Sequence, residues 1–360
     1  MANRIVGGAL SLGLWGVVLS GIPAVALPAA ASPDDATADA PADAPADATA
    51  ATSAPAGRAA VHTIGGCSVF PEDNWWNTRL KGLPVHKRSR AIIRRQAAGH
   101  AIHLDLGVTE RYYGIPINVA AADQPTRPLL FGVDGADYRS ESDPGPVPFP
   151  DNAHIEGGAS ATDDPGSGDR HVIVVQRGSC TLIESYATER VRDDNGQVVA
   201  WRAAAVARWD LGSNRLRPKY WTSADAAGLP ILPGLLTYDE AASGRITHAL
   251  RFTLPMARSA FIKPARHCGP AGNTARSLPS YGMRFRLRKG FKATRYTGPA
   301  RTIVKAMKRF GLMYADQGTA MYVTGTADPR WGPVLDQFRA KPIDGRNFRV
   351  VKTGKATVCR

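Results

Sequence analysis

RHVIVVQRGSCTLIESYATERV, Arg170–Val191, is the stretch that decides the fold. Val172 to Val175 is a short run of β-branched residues. Arg177-Gly178-Ser179 supplies a turn, and Thr181 to Tyr186 returns with strand-forming residues, so the stretch reads as a β-hairpin. After the turn signal Asp193-Asp194-Asn195-Gly196, QVVAWRAAAVARWDL (Gln197–Leu211) continues the pattern. Short strand-like runs split by Gly and Pro lie upstream: HLDLG, GIPINV and LLFGV. Downstream come HALRFTL, MRFRLRK, LMYAD and AMYVTG.

Helical signals are fewer. TGPARTIVKAMKRFG places Pro299 in a first turn, Gly311 just past the end, and Ile303, Val304, Met307 and Phe310 on one stripe. KRSRAIIRRQAAG (Lys87–Gly99) and GPVLDQFRA (Gly332–Ala340) read as shorter helices. The predicted class is mainly β with α elements at the margins. It is a β-sandwich or jelly-roll-like domain with long loops and a few peripheral helices.

The chain ahead of this domain has a different character. Arg4, the apolar run Ile5 to Leu19 and the small-residue exit Ala29-Ala30-Ala31 read as a signal peptide over residues 1–31. A retained anchor is the rival reading, and the glycines and small residues favour cleavage. Residues 32–62 contain the Ala-Asp-Ala-Pro repeat, with too little apolar surface to offset ordering entropy, and read as a disordered linker. Residues 63–360 then form a single β-rich domain with no further spanning segment. The expected location is secreted, extracellular or wall-associated.

Four cysteines, Cys67, Cys180, Cys268 and Cys359, suit two disulfides in an exported chain. Three pairings are possible. The expected one joins Cys67 to Cys359 across the two ends of the domain and Cys180 to Cys268 within it. No C-x-x-C spacing suggests metal. The chain carries +14. Its first 62 residues hold two arginines and five aspartates, so the domain carries about +17. Such a charge favours polyanions: acidic polysaccharide, wall polymers or anionic lipid. No motif supports nucleic acid as the partner.

There is no G-x-S-x-G, no H-E-x-x-H and no G-x-x-x-x-G-K-[ST], which removes the straightforward serine-hydrolase, zinc-protease and nucleotide-binding assignments. No cofactor is implied. The remaining chemistry sits in acids and histidines delivered by the long Asp137–Asp169 segment, which lacks apolar periodicity. In HIEGG, His154 and Glu156 share one face of an extended chain, beside glycines that permit close approach. In GDRH, Asp169 and His171 repeat the spacing. Glu156 and Asp169 are the candidate acid and base for glycan cleavage, with His171 orienting them; loop tethering is the alternative. His100, His103 and Asp105 form a loose constellation with metal-ligand chemistry, and their simpler reading is structural.

Candidate substrate contacts follow from residue type. Trp75, Trp76 and Trp221 offer stacking faces, though half-buried sealing residues are the plainer reading of a Trp pair. Arg284, Arg286 and Arg288 alternate on one face of MRFRLRK and suit anionic groups; a solvated strand face is equally consistent. Asp316 opens a turn at the rim. KYWTSADAAGLPILPGLLTYDE (Lys219–Glu240) reads mainly as a buried corner. Its Thr222–Asp225 spacing suggests a capping box on a one- or two-turn helix, with Trp221 and Asp225 at its rim.

GDRHVIVV, LRPKYWTSADAAGLPILPGLLTYDE, ITHALRFT and YADQGTAMYVTGTADPRW resemble, in order, segments of a family of exported bacterial proteins, largely actinobacterial, with no assigned activity. The likeness runs from about VFPEDNWWN to DPRW. It implies export and a single-domain fold, and carries no catalytic residue across. Export, a β scaffold, loop carboxylates, tryptophans and positive charge together lead to one expectation. It is a secreted carbohydrate-active protein that hydrolyses or lyses an acidic or wall-associated polysaccharide. A non-catalytic wall- or polyanion-binding module is the alternative.

Overall fold

The hairpin is the middle of the molecule. In the computed structural model, which describes residues 62–107, 114–157 and 168–359, strands Val172–Gln176 and Thr181–Tyr186 pair antiparallel, Val172 opposite Ser185 and Gln176 opposite Thr181. They are the inner strands of a four-stranded sheet. Ala205–Asp210 flanks one side antiparallel, and Ile117–Ala120 the other side parallel. Both faces are covered. Val172, Val174, Ile183 and Val206 meet Phe149, Ile155 and Trp201, while Ile173, Val175, Leu182 and Ala207 join the main core. Burial on both faces explains why Val172 to Val175 is continuously apolar instead of alternating.

Gln197–Leu211 is not one strand. Val198–Ala203 lies in a three-stranded sheet between Leu129–Phe131 and Glu189–Arg192, whereas Ala205–Asp210 lies in the four-stranded sheet. The chain steps between sheets at fully buried Ala204, whose N–H donates to Tyr186 O at 2.9 Å. The facing strand steps at the same level, where Ala187 takes φ 50°. One long hairpin is thus shared by two sheets, a device that makes a sandwich corner.

A six-stranded mixed sheet completes the framework, in the order Phe348–Val351, Arg284–Leu287, Leu312–Gln317, Leu250–Leu254, Tyr322–Thr324, His103–Asp105. Its helix, Gly298–Arg309, buries Ile303, Val304 and Met307, as its apolar stripe predicts. Gly311 ends it at φ 73°, where a Cβ would stand 2.6 Å from Phe285 O. Helices Ser89–Gln96 and Gly332–Ala340 also form where expected. The domain is mainly β with several sheets, few helices and no closed barrel among the described residues. Those residues fall in one unit, Gly57–Arg360. The signal-peptide and linker readings lie outside the described residues, apart from His62.

Three local expectations are corrected. Thr222–Asp225 caps no helix. Ser223 Oγ accepts from Asp225 N at 3.0 Å, and Asp225 Oδ1 accepts from Ala227 N at 3.0 Å, so the side chains close turns that compete with helix. The Asp137–Asp169 segment is no plain loop, because Val147, Phe149, Ala153 and Ile155 fill the second core; residues 158–167 lie outside the described set. The disulfides pair Cys67 with Cys180 and Cys268 with Cys359, Cα atoms 5.4 and 6.5 Å apart, not end to end. Cys67 lies on the two-residue strand Cys67–Ser68, and its partner Cys180 closes the central hairpin turn. Strand Thr357–Val358 pairs with Ala260–Phe261 and delivers Cys359 to Cys268. Each end is therefore fastened to an internal turn, a connectivity that spacing alone does not determine.

Non-reducing proteolysis with mass spectrometry is expected to yield linked peptides containing Cys67 with Cys180 and Cys268 with Cys359. A Cys67–Cys359 peptide would contradict the topology. Replacing Cys67 and Cys180 together with alanine is expected to cost about 2–4 kcal/mol in urea unfolding, since their bond closes a long loop.

Candidate active site

Arg251 stands on the inner strand Leu250–Leu254 and is 4 % exposed. A guanidinium so placed needs partners, because an unpaired buried charge is strongly unfavourable. It finds three. Nε donates to Asp225 Oδ2 at 3.2 Å, and one terminal nitrogen donates to Thr324 Oγ1 at 2.9 Å. The other terminal nitrogen lies 3.1 Å from Asp225 Oδ2 and 3.5 Å from Asp316 Oδ2. Asp225 is fully buried; Asp316 keeps a quarter of its side chain exposed. Burial raises the proton affinity of both aspartates, and Arg251 offsets it only in part.

Glu156 and His171 lock together beside this network. Glu156 N donates to His171 O at 2.9 Å and His171 N to Glu156 Oε2 at 3.2 Å. His171 Nδ1 meets Glu156 Oε2 at 2.5 Å, and Nε2 meets Ala224 O at 3.0 Å. Both ring nitrogens therefore face acceptors, an arrangement that suits imidazolium. Burial alone would lower the histidine, but the Glu156 charge and hydrogen bond carry it up to about 9. Burial alone would raise Glu156, but His171 outweighs it and holds the carboxylate below its usual range.

Asp105 is the third acidic centre. It ends the edge strand His103–Asp105, paired with Thr324, the residue that Arg251 holds. Its Oδ1 is buried without a hydrogen-bond partner. Burial raises its proton affinity, His103 lowers it, and the Glu156 charge raises it further. Asp105 lines a cleft of about 660 Å³ together with His100, His103 and Tyr322. The His103 and Tyr322 rings stack there, centroids 4.1 Å apart. Two carboxyl groups in range of each other's charge are thus pushed in opposite directions: His171 holds Glu156 below the usual carboxylate range, and burial lifts Asp105 above it.

The expected site residues divide. Glu156 and His171 are joined. Asp169 is exposed, and its charge acts on His171 and Tyr186. Asp316 belongs to the Arg251 network, on the strand Leu312–Gln317 rather than in a turn. Asp225 is interior instead of at a rim. Trp76 is 1 % exposed and is core, not a stacking platform. Trp75 is half-buried, and its carbonyl accepts from Arg284 at 2.6 Å. One face of Trp221 is taken by the Arg217 guanidinium, 5.6 Å from its centroid.

The arginine stripe is corrected in part. Arg284 is buried and donates to the carbonyls of Trp75, Thr78 and Phe310. Arg286 donates to Leu80 O at 2.6 Å. Both bind backbone because the Trp75–Leu80 segment crosses that sheet face; Arg288 alone of the three is exposed. Arg251 and Glu184 escaped the sequence reading. Glu184 is fully buried and accepts from Ile231 N and Leu232 N, pinning the LPILPG corner that follows Asp225. A charged residue inside each apolar strand run was the available signal. No family model, curated protein or solved structure matches the chain.

The ion pair sets a pH signature. His171 rises from 6.5 to about 9, so its contribution is complete below pH 6.5 and lost as pH climbs towards 9. Glu156 falls below 4.5, so its contribution holds above pH 4.5 and is lost in stronger acid. Urea unfolding from pH 5 to 9.5 is expected to show wild-type stability falling on the alkaline side. Glu156→Gln should remove on the order of 3 kcal/mol of that pH dependence. Parallel profiles for the two proteins would refute the ion pair.

Proposed function

We propose that the domain is an extracellular glycan-cleaving enzyme acting on an acidic polysaccharide, with Asp105 as general acid and Glu156, whose charge reaches it, as the ionised carboxylate. The observation that carries this reading is the divergence of those two groups. Cleavage of a glycosidic bond needs one carboxyl that still holds a proton near neutrality and one that does not. His171 is a positioning residue that keeps Glu156 charged and fixed. The Tyr322–His103 stack offers an aromatic wall for sugar rings beside Asp105.

A second depression supports an anionic substrate. Lys87, Arg90, Arg94, Arg288, Arg346 and Arg349 line a groove of about 590 Å³ with no carboxylate in its wall. Ala98 lines this groove and Gly99, the next residue, lines the cleft. A polyanion bound in the groove can extend past Gly99 towards Asp105. The same groove favours the alternative, a module that binds polyanions without cleaving them.

The test is release of reducing ends or unsaturated products from a panel of acidic and wall polysaccharides. Glu156→Gln and Asp105→Asn are each expected to cut turnover by about 10²–10⁴, with folding checked by circular dichroism. Arg94→Glu with Arg288→Glu should raise KM and weaken its dependence on salt while leaving kcat near wild type. Turnover unchanged in both carboxylate variants would move the chemistry elsewhere. Salt-sensitive binding without product would establish the binding module instead.

A further inference from the structure

Away from the cleft, His62, Glu240 and His248 bring three donor atoms within 4.8 Å of one another. His62 immediately precedes the strand Thr63–Ile64, Glu240 is on the short helix Tyr238–Ala242, and His248 precedes Leu250–Leu254. Two of the three spacings match those of ligands that share an ion. Glu240 Oε1 is 3.5 Å from His62 Nδ1 and 3.3 Å from His248 Nε2. Bonds of about 2.0–2.1 Å around a tetrahedral ion hold its ligands roughly 3.3–3.4 Å apart.

The surroundings prepare each donor. His248 is 1 % exposed, and its Nδ1 lies 2.8 Å from Ala249 O. A proton donated from Nδ1 to that carbonyl is the usual support for a metal-bound histidine, and it would free the Nε2 lone pair, which faces Glu240, for an ion. Thr237 Oγ1 donates to Glu240 Oε2 at 2.9 Å and fixes the carboxylate, whose Oε1 faces both rings and whose Oε2 also faces His248 Nε2 at 3.3 Å. His62 Nδ1 is buried with no hydrogen-bond partner. The two rings lie nearly parallel, centroids 5.5 Å apart. A carboxylate–imidazolium pair satisfies Glu240 and His248 but leaves His62 Nδ1 unmatched; a cation answers all three.

We propose that His62, Glu240 and His248 bind one divalent transition metal, zinc by donor type, with water completing the coordination. Two imidazoles and one carboxylate suit zinc and disfavour calcium or magnesium. The ion ties the segment at His62 to the turn between Glu240 and His248. The site shares no residue with the cleft, so it stands or falls independently of glycan cleavage.

Purified full-length protein, stripped with chelator and dialysed, is titrated with zinc chloride by calorimetry and then assayed for metal content. Cobalt(II) loading reports geometry through its visible bands. One equivalent of zinc per chain is expected, with a raised Tm. His62→Ala and Glu240→Gln should each weaken binding by at least tenfold, and Thr237→Val by less. His62 lies at the start of the domain, so His62→Ala preserves the test if the Glu240 variant misfolds. No binding at millimolar zinc, or stoichiometric binding unaffected by His62→Ala, would overturn the proposal.

Discussion

A permanently charged guanidinium in the middle of a sheet constrains everything around it. Arg251 occupies an interior strand between Leu312–Gln317 and Tyr322–Thr324. Burial disfavours its charge, and Asp225 and Asp316, with a smaller part from Glu156, restore it. Asp316 comes from the neighbouring strand, but Asp225 must be brought in by a segment with no regular structure. That segment holds its shape through Ser223, which accepts from Asp225 N and donates to Leu229 O at 2.7 Å, and through Glu184, which reaches across from the other sheet. The hairpin, the corner and the six-stranded sheet are therefore linked through buried ions. Removing one partner leaves another charge unpaired, so the cost exceeds that of a lost surface pair.

Local pattern carried the elements well and long-range partnership poorly. The central hairpin is legible because two strands and their turn are consecutive, and helix Gly298–Arg309 because Pro299, Gly311 and the apolar stripe agree. The corner at Ala204 is not legible. AAAVA continues a strand pattern without interruption, and the switch between sheets arises from Tyr186 and Tyr138 backbone groups far away in sequence. Glu184 and Arg251 are hidden for a similar reason. Within an alternating run a charge reads as the solvent face, and only the covering layer reveals that both faces are interior. Glu156 and His171 were each legible as candidate site groups of the long segment and the strand start; that they pair with each other, beside Arg251, was not.

Arginine shows how misleading composition is about role. The domain has a large positive excess, yet its arginines serve different ends. Arg284 and Arg286 donate to carbonyls of the Trp75–Leu80 segment and fasten it to the sheet. Arg190 stacks on Trp201, and Arg217 on Trp209 and Trp221. These cations stabilise the fold and offer little field to a ligand. The groove formed by Ser89–Gln96 and Phe348–Val351 differs because no carboxylate lines it. Apart from Arg346, which pairs with Asp344, its charge remains for a partner and falls with added salt.

The core and the candidate site are built from the same groups, which bears on how the site keeps its chemistry. Glu156 stays ionised because His171 is held by Ala224 O, and Ala224 adjoins Asp225, the anchor of Arg251. Asp105 sits opposite Thr324, which Arg251 also holds. One cation thus positions both carboxyl groups through different neighbours while touching neither. It stabilises negative charge at each by its field, yet burial still keeps Asp105 above the ordinary aspartate range. The contrast between the two carboxyls therefore comes from their immediate contacts: an imidazole for Glu156, an orphaned oxygen for Asp105. Ionising Asp105 would put charge on a buried oxygen with no partner, so burial favours its protonated form, which is why the proposed acid role falls there rather than on exposed Asp169.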